Sequence, residues 1–149
     1  MTDNYDDALS NWTNVAWGVN DSYFGSPLNC PDCADKLNDY LNGGALTAAG
    51  HGRRFHISGD FARAAGFGAV VNQLQQLGPS HHVTVRGLRN RPPYHYFVAA
   101  NIRGTIYILD AFTREPPIPA TDQTRMQNYL VSRGHFTGFE TSSNFDSRP

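Results

Sequence analysis

The segment 94–112 constrains the fold of this chain more than any other. Tyr94–Ala100 and Thr105–Phe112 are both rich in aromatic and β-branched residues, and only Asn101-Ile102-Arg103-Gly104 separates them. Such runs read as strands. A connection this short, with a glycine free to take positive φ, closes them as an antiparallel hairpin. With Ile102-Arg103 as the central pair of the turn, Ala100 opposes Thr105 and His95 opposes Asp110. Directly opposed side chains share a face, about 4.5–5.5 Å apart at Cβ. Asp110 is then placed to accept the His95 ring N–H, fix its tautomer and support the imidazolium.

A second stretch, Leu28-Asn29-Cys30-Pro31-Asp32-Cys33, reads as the start of a helix over 31–42. Proline suits the first helical position, where its missing N–H would be unsatisfied anyway, and this puts Cys30 at the cap. A thiol there faces the free N–H groups and the positive end of the helix dipole, which favours the thiolate. Asp32 and Asp35 oppose that field, so a cationic partner is needed. Cys33, Leu37 and Tyr40 or Leu41 recur at helical spacing and form a buried stripe, making Cys33 a core residue. Gly43-Gly44 stops the helix. A thiol at a helix start and a His/Asp pair on adjacent strands are the parts of a Cys-His-Asp nucleophilic site: Cys30, His95 and Asp110.

No other histidine matches His95. His51 and His56 lie in an arginine-containing loop, His81 and His82 start a strand with no carboxylate at a pairing position, and His135 has no orienting partner. The backbone N–H of Cys30 needs a second oxyanion donor beside it. Asn20, Ser26 and Asn29 are near enough in sequence, although such residues are also common turn formers. Cys30-Pro31-Asp32-Cys33 at a helix start is also the local pattern of a thiol–disulfide oxidoreductase. The segment before it reads as loop, however, not as a buried strand. A third alternative is a non-enzymatic interaction domain, with Cys30 as a cap and His95 on the surface.

The rest of the chain gives a coarse plan. Residues 1–28 read as irregular, with 1–16 extended apart from a short helix near Asp7–Trp12, and with Trp12, Trp17, Tyr23 and Phe24 packing on the core. Ser58 caps a helix over 60–77, with Phe61, Ala64, Phe67, Val71 and Leu74 as its stripe. A strand over His82–Leu88 precedes the hairpin. After the proline-rich break at Pro116, Pro117 and Pro119, Thr121 caps a helix over 122–133. Phe136–Glu140 adds a strand, and Thr141–Pro149 is a tail. Early helices and later adjacent strands indicate an α+β fold in one domain, 1–149.

Bulk properties narrow the function classes. The 149 residues are 40% hydrophobic and 17% charged, with net charge −1. That suits a globular domain and not a nucleic-acid binder working through bulk positive charge. Arg86, Arg89 and Arg91 read as a solvated loop. No apolar run approaches the ~18 residues of a membrane span. The start, Met1-Thr2-Asp3-Asn4-Tyr5-Asp6-Asp7, lacks the apolar centre of a signal peptide. Two cysteines and no second Cys-x-x-Cys leave a zinc site short of ligands, so neither metal nor cofactor is expected.

Asn29-Cys30-x-x-Cys33-Ala34, Leu41-x-Gly43 and Ala45-x-x-Ala48, with Asn20-x-x-Tyr23 upstream, resemble the papain-fold toxin family. These are glutamine-deamidase-type domains of bacterial polymorphic toxins and effectors. His95-x-Phe97-Val98-x-x-Asn101-x-x-Gly104 and Ile108-Leu109-Asp110-Ala111-x-Thr113 resemble it too. The likeness covers about 17–48 and 94–113. It implies a papain-like core with the nucleophile at a helix N-terminus packed on an antiparallel sheet. It implies Cys30 as nucleophile, His95 as general base and Asp110 as orienting residue, attacking a glutamine side-chain amide or a peptide bond through a thioester. It further implies a target protein as substrate, a cognate immunity protein, and delivery by a specialised secretion system into a recipient cytoplasm. A cysteine protease with the same triad is the near alternative. The sequence departs from the family at Phe112, where glutamine is frequent, and at Tyr94, where glycine commonly precedes the histidine.

Overall fold

The computed structural model describes residues 3–20, 30–49, 60–91 and 94–142, and the backbone of 146–147. Its centre is an antiparallel sheet of seven strands: β1 (Phe61–Ala64), β2 (His81–Leu88), β3 (His95–Ile102), β4 (Thr105–Leu109), β5 (Ile118–Pro119), β6 (Gly138–Ser142) and β7 (Asp146–Ser147). Six run in the order β1-β6-β2-β3-β4-β5, and β7 pairs with β2. All eight residues of β3 are buried, as befits a central strand covered on both faces.

Alternation along β3 sorts the core into two layers. Val98, Ala100 and Ile102 face α1 (Asn4–Ser10), α2 (Trp12–Val19) and α3 (Cys30–Leu41). Phe97 and Ala99 face α4 (Phe67–Leu77) and the C-terminal helical segment, which is α5 (Gln123–Gln127) followed by a π-helical turn at Asn128–Arg133. The architecture is α+β, with helices on both faces of an antiparallel sheet.

The N-terminal segment, expected to be extended apart from one short helix near Asp7–Trp12, is helical over Asn4–Ser10 and Trp12–Val19. The Asp3 carboxylate accepts the Asp6 N–H at 2.9 Å and caps α1. Tyr5, Ala8, Trp12, Val15, Ala16 and Val19 then fall at helical spacing and are buried. A polar network fastens this layer to the sheet. The fully buried His82 ring meets the Tyr5 hydroxyl at 2.5 Å through Nδ1 and Asn38 Oδ1 at 2.7 Å through Nε2. Asn38 Oδ1 can only accept, so Nε2 carries the proton. Three elements are thereby joined, and His82 serves the fold.

α3 matches expectation at both ends to within a residue, with Cys30 as its first helical residue and not its cap. Gly43, at φ 95°, ends it. Gly43 N–H donates to Tyr40 O at 3.0 Å and Gly44 N–H to Asp39 O at 2.9 Å. These two bonds satisfy carbonyls that a helix end would otherwise leave open.

Three other expectations are corrected. Residues 60–77 are not one helix: Phe61–Ala64 pairs with β6, and only Phe67–Leu77 is helical. Gly66 weakens a helix at the break, and edge pairing captures the residues before it. Of the expected tail, Thr141 and Ser142 belong to β6, and Asp146–Ser147 pairs with His81–His82 of β2. Arg86 lies within β2 and Arg89, just past its end, is half-buried, whereas Arg91 is exposed on the connection as expected. Arg86 Nη2 bonds Glu140 at 2.6 Å and its guanidinium covers the Phe61 ring, while Arg89 covers the Phe136 ring.

The hairpin turn is Arg103-Gly104, not Ile102-Arg103. Both residues have positive φ, 57° and 91°, as a two-residue type I′ turn requires. β-branched Ile102 resists that conformation, and it is buried in the sheet instead. Asn101 braces the turn, its Oδ1 accepting Gly104 N–H at 2.9 Å while its Nδ2 donates to Leu74 O at 2.9 Å. Ile102 therefore pairs with Thr105 and Val98 with Leu109.

One close approach bears directly on the site. A Cβ at Gly87 would lie 2.4 Å from the Phe136 ring, so only glycine lets that ring settle against β2. Gly87→Ala is expected to cost about 1–3 kcal/mol through overpacking, read from the midpoint of a denaturant melt. An unchanged midpoint would show that Phe136 has room to move.

Candidate active site

Asp110 begins where β4 ends. An aspartate side chain competes with the strand ladder for backbone N–H groups. Here Asp110 Oδ1 accepts Phe112 N–H at 3.0 Å and Thr113 N–H at 3.2 Å, and Asp110 O accepts Arg114 N–H at 3.0 Å. This local turn ends the strand three residues before the expected Phe112. It also holds the carboxylate rigidly at the end of the sheet.

His95 is the first residue of β3. Extending the observed register puts Phe97, not His95, opposite Asp110. The offset from the expected pairing is two residues. Two is the period of side-chain alternation, so His95 and Asp110 still share a face. They meet diagonally: His95 Nε2 lies 2.6 Å from Asp110 Oδ2. Both are buried, at 7% and 2% exposure.

The pair is an ion pair. For His95, burial acts to lower the pKa, but the Asp110 charge and hydrogen bond, with Cys30 adding to them, outweigh it and raise the value to about 9. For Asp110, burial acts to raise the pKa. The His95 charge, together with hydrogen bonds from His95, Tyr129 and the Thr113 N–H, holds it below its ordinary value. An imidazolium is also favoured by its aromatic surroundings. Phe136 stacks on His95 at 6.0 Å between centroids and 12° between planes, and Phe112 meets it edge-on at 5.7 Å.

Cys30 reaches this pair from the other layer. It packs with Ala34 and Tyr96 on the α1–α3 side of the sheet. Its Sγ lies 3.9 Å from Tyr94 O, the carbonyl immediately before His95. Cys30 and His95 line the same cavity. Asp110 engages Nε2, so Nδ1 is the nitrogen left for the thiol. The three residues expected from the sequence therefore meet at the end of the sheet. Cys33, one helical turn on, is 1% exposed, and its thiol is pushed up to about 12, chiefly by burial. It is a core residue, as its spacing indicates.

The other candidates lie elsewhere. Asn20 is buried at the end of α2, and its Nδ2 donates to Phe112 O at 2.9 Å. Its backbone carbonyl accepts from Arg114 Nη2 at 2.7 Å. Asn20 thus braces the turn that carries Asp110. Asn29, Ser26, His51 and His56 fall outside the described residues. His81 is bonded to backbone carbonyls of the preceding turn. Among the described residues, no group of three or more His, Cys, Asp or Glu is arranged to hold a metal ion, and no helix is long and apolar enough to cross a membrane.

The sequence reading missed Tyr129. Its hydroxyl donates to Asp110 Oδ2 at 2.5 Å, the same oxygen that His95 engages. A cavity of about 170 Å³ opens beside Cys30, His95, Phe112 and Tyr129, with Arg133 and Glu115 paired at its mouth. No local sequence signal marks Tyr129, because helical spacing alone gives it only a place on a helix face. No family model, no curated protein and no solved structure matches this chain.

The ion pair sets a pH window. His95, with its raised pKa, contributes stability that is fully present below its unfolded value of about 6.5 and is lost as pH rises through about 9. Asp110, with its lowered pKa, contributes above its unfolded value of about 3.9 and loses that contribution as pH falls through its folded pKa. Asp110→Asn should lower the His95 NMR titration midpoint, since the carboxylate that chiefly outweighs burial is gone, and should weaken the alkaline decline in stability. Asp110→Ala should cost about 3–5 kcal/mol at neutral pH. A His95 midpoint unmoved by Asp110→Asn would count against the ion pair.

Proposed function

We propose that this chain is a cysteine-dependent amidohydrolase that deamidates a glutamine side chain of a target protein. Cys30 is the nucleophile, His95 the acid and base, and Asp110 the residue that orients His95. One observation carries the reading: Cys30 and His95 line one cavity, and His95 is bonded to a buried carboxylate. The reading includes a papain-like core. A helix beginning at the nucleophile and packing on an antiparallel sheet that bears the base supports it. By the family resemblance of its motifs, the domain acts as a toxin or effector. It is delivered by a specialised secretion system, acts in a recipient cytoplasm and is neutralised by a cognate immunity protein.

Cys30 attacks as the thiolate, with the proton on His95. A C–S bond forms at the carboxamide carbon, and negative charge moves to its oxygen, near the Cys30 N–H. Collapse breaks the C–N bond, and His95 gives its proton to the departing ammonia. The neutral imidazole then takes a proton from water as that water attacks the thioester. The C–S bond breaks, the product is a glutamate side chain, and the thiolate and imidazolium are restored. Asp110 remains ionised throughout and stabilises the imidazolium.

Cavity size favours a side-chain substrate. A cavity of about 150 Å³ admits a single benzene ring, and this one is about 170 Å³. One flat carboxamide fits, whereas a length of extended main chain needs a groove. The oxidoreductase alternative requires Cys33 as the second thiol. Its burial and its pKa of about 12 make it a poor one.

Cys30→Ala is expected to abolish ammonia release and toxicity in a recipient cell, with activity falling about a thousandfold or more. Mass analysis of modified target should show amide replaced by acid at glutamine with the chain intact. Chain cleavage would assign the site to a protease, and full toxicity of Cys30→Ala would remove the enzyme reading.

A further inference from the structure

Three features of the C-terminal segment converge on Asp110. The first is the backbone. α5 starts from a cap in which Asp122 Oδ1 accepts Arg125 N–H at 3.1 Å, and it then widens into the π-helical turn at Asn128–Arg133. π turns are rare and occur mostly at functional sites. This one closes with Gly134 N–H on Tyr129 O at 3.0 Å. A Cβ at Gly134 would lie 2.5 Å from that carbonyl, so the closure depends on glycine.

The second feature is the target of the Tyr129 hydroxyl. A buried phenol needs a partner, and a backbone carbonyl would suffice. Tyr129 instead donates to Asp110 Oδ2, the oxygen that also holds His95 Nε2. The other oxygen, Oδ1, is held by two backbone N–H groups. The third feature is position, because Tyr129 lines the same cavity as Cys30 and His95.

We infer that Tyr129 is a positioning residue of the site, acting on His95 through Asp110. This rests on the Cys30–His95–Asp110 reading above. A donor on Oδ2 has two effects. It fixes the carboxylate plane, so that His95 keeps Nδ1 toward Cys30. It also draws negative charge from Oδ2, so that Asp110 stabilises the imidazolium less strongly. His95 must give up its Nδ1 proton when ammonia leaves and take one from water when the thioester is hydrolysed. Without Tyr129 the carboxylate keeps its charge, grips His95 more strongly and slows proton delivery.

The consequence is opposite in direction to that of losing Asp110. Tyr129→Phe keeps the ring and removes one hydroxyl, and the His95 titration midpoint should rise by about half a unit or more, the effect of losing a hydrogen bond to a charged group. The midpoint is read by NMR of histidine-labelled full-length chain, with thermal melting recorded alongside. A role confined to packing would lower the melting temperature and leave the midpoint where it was. An unmoved or lowered midpoint in folded Tyr129→Phe overturns the inference. If that variant does not fold, the wild type decides. The Tyr129 ring carbons should report a transition at the His95 midpoint, and their failure to do so overturns it equally. Alkylation of wild-type Cys30 by iodoacetamide separates this result from the enzyme reading. A rate no faster than that of free cysteine discredits Cys30 as nucleophile, while a rise in the His95 midpoint would still establish the Tyr129–Asp110–His95 coupling.

Discussion

A carboxylate buried at 2% exposure is unstable unless its charge is matched and its lone pairs are filled. Asp110 meets both conditions, and much of the surrounding structure follows from how it does so. Two backbone N–H groups fill Oδ1, which bends the chain out of β4. An imidazolium and a phenol share Oδ2, which brings β3 and the π-helical turn to the same point. Asn20 and Arg114 then tie α2 to the bend. The site and the end of the sheet are thus one polar network within an apolar frame.

The sheet separates the groups of the candidate site and then reunites them. His95, Tyr129 and Phe136 stand on the α4–α5 side, while Cys30 comes from α3 on the opposite side. A thiol and an imidazole on opposite faces of a sheet can meet only at its end. His95 is the first residue of β3, and Cys30 is the first residue of α3. Both elements therefore begin at the site, where no further strand residues lie between them. The same placement leaves a small cavity open beside them.

The hairpin shows how a local misreading can leave two side chains on the face expected of them. The expected turn was displaced by one residue, which displaced the pairing by two. Strand faces repeat every two residues, so His95 and Asp110 stayed on one face and met diagonally. An error of one would have put them on opposite faces. The helix expected over 60–77 fared less well. The apolar residues Phe61 and Ala64 fit a helical stripe, but β6 offers Phe61–Ala64 a set of ladder hydrogen bonds. Short apolar runs carry no preference strong enough to resist such pairing.

Local chemistry was legible wherever a residue type restricts its own backbone or its immediate neighbours. Pro31 and Gly43-Gly44 bounded α3, Gly104 marked the hairpin, and the spacing of Cys33, Leu37 and Leu41 identified the buried face of that helix. The sequence by itself therefore determined an antiparallel hairpin, a helix beginning at Pro31 with Cys30 at its cap, and Cys30, His95 and Asp110 as candidates for one site. Tertiary structure alone decided that they meet, that Asp110 is charged and buried, and that Tyr129 joins it. Those facts depend on contacts between residues up to 64 positions apart, for which no spacing rule exists. Only the packing of α3 and the C-terminal turn against opposite faces of one sheet brings such residues within hydrogen-bonding distance.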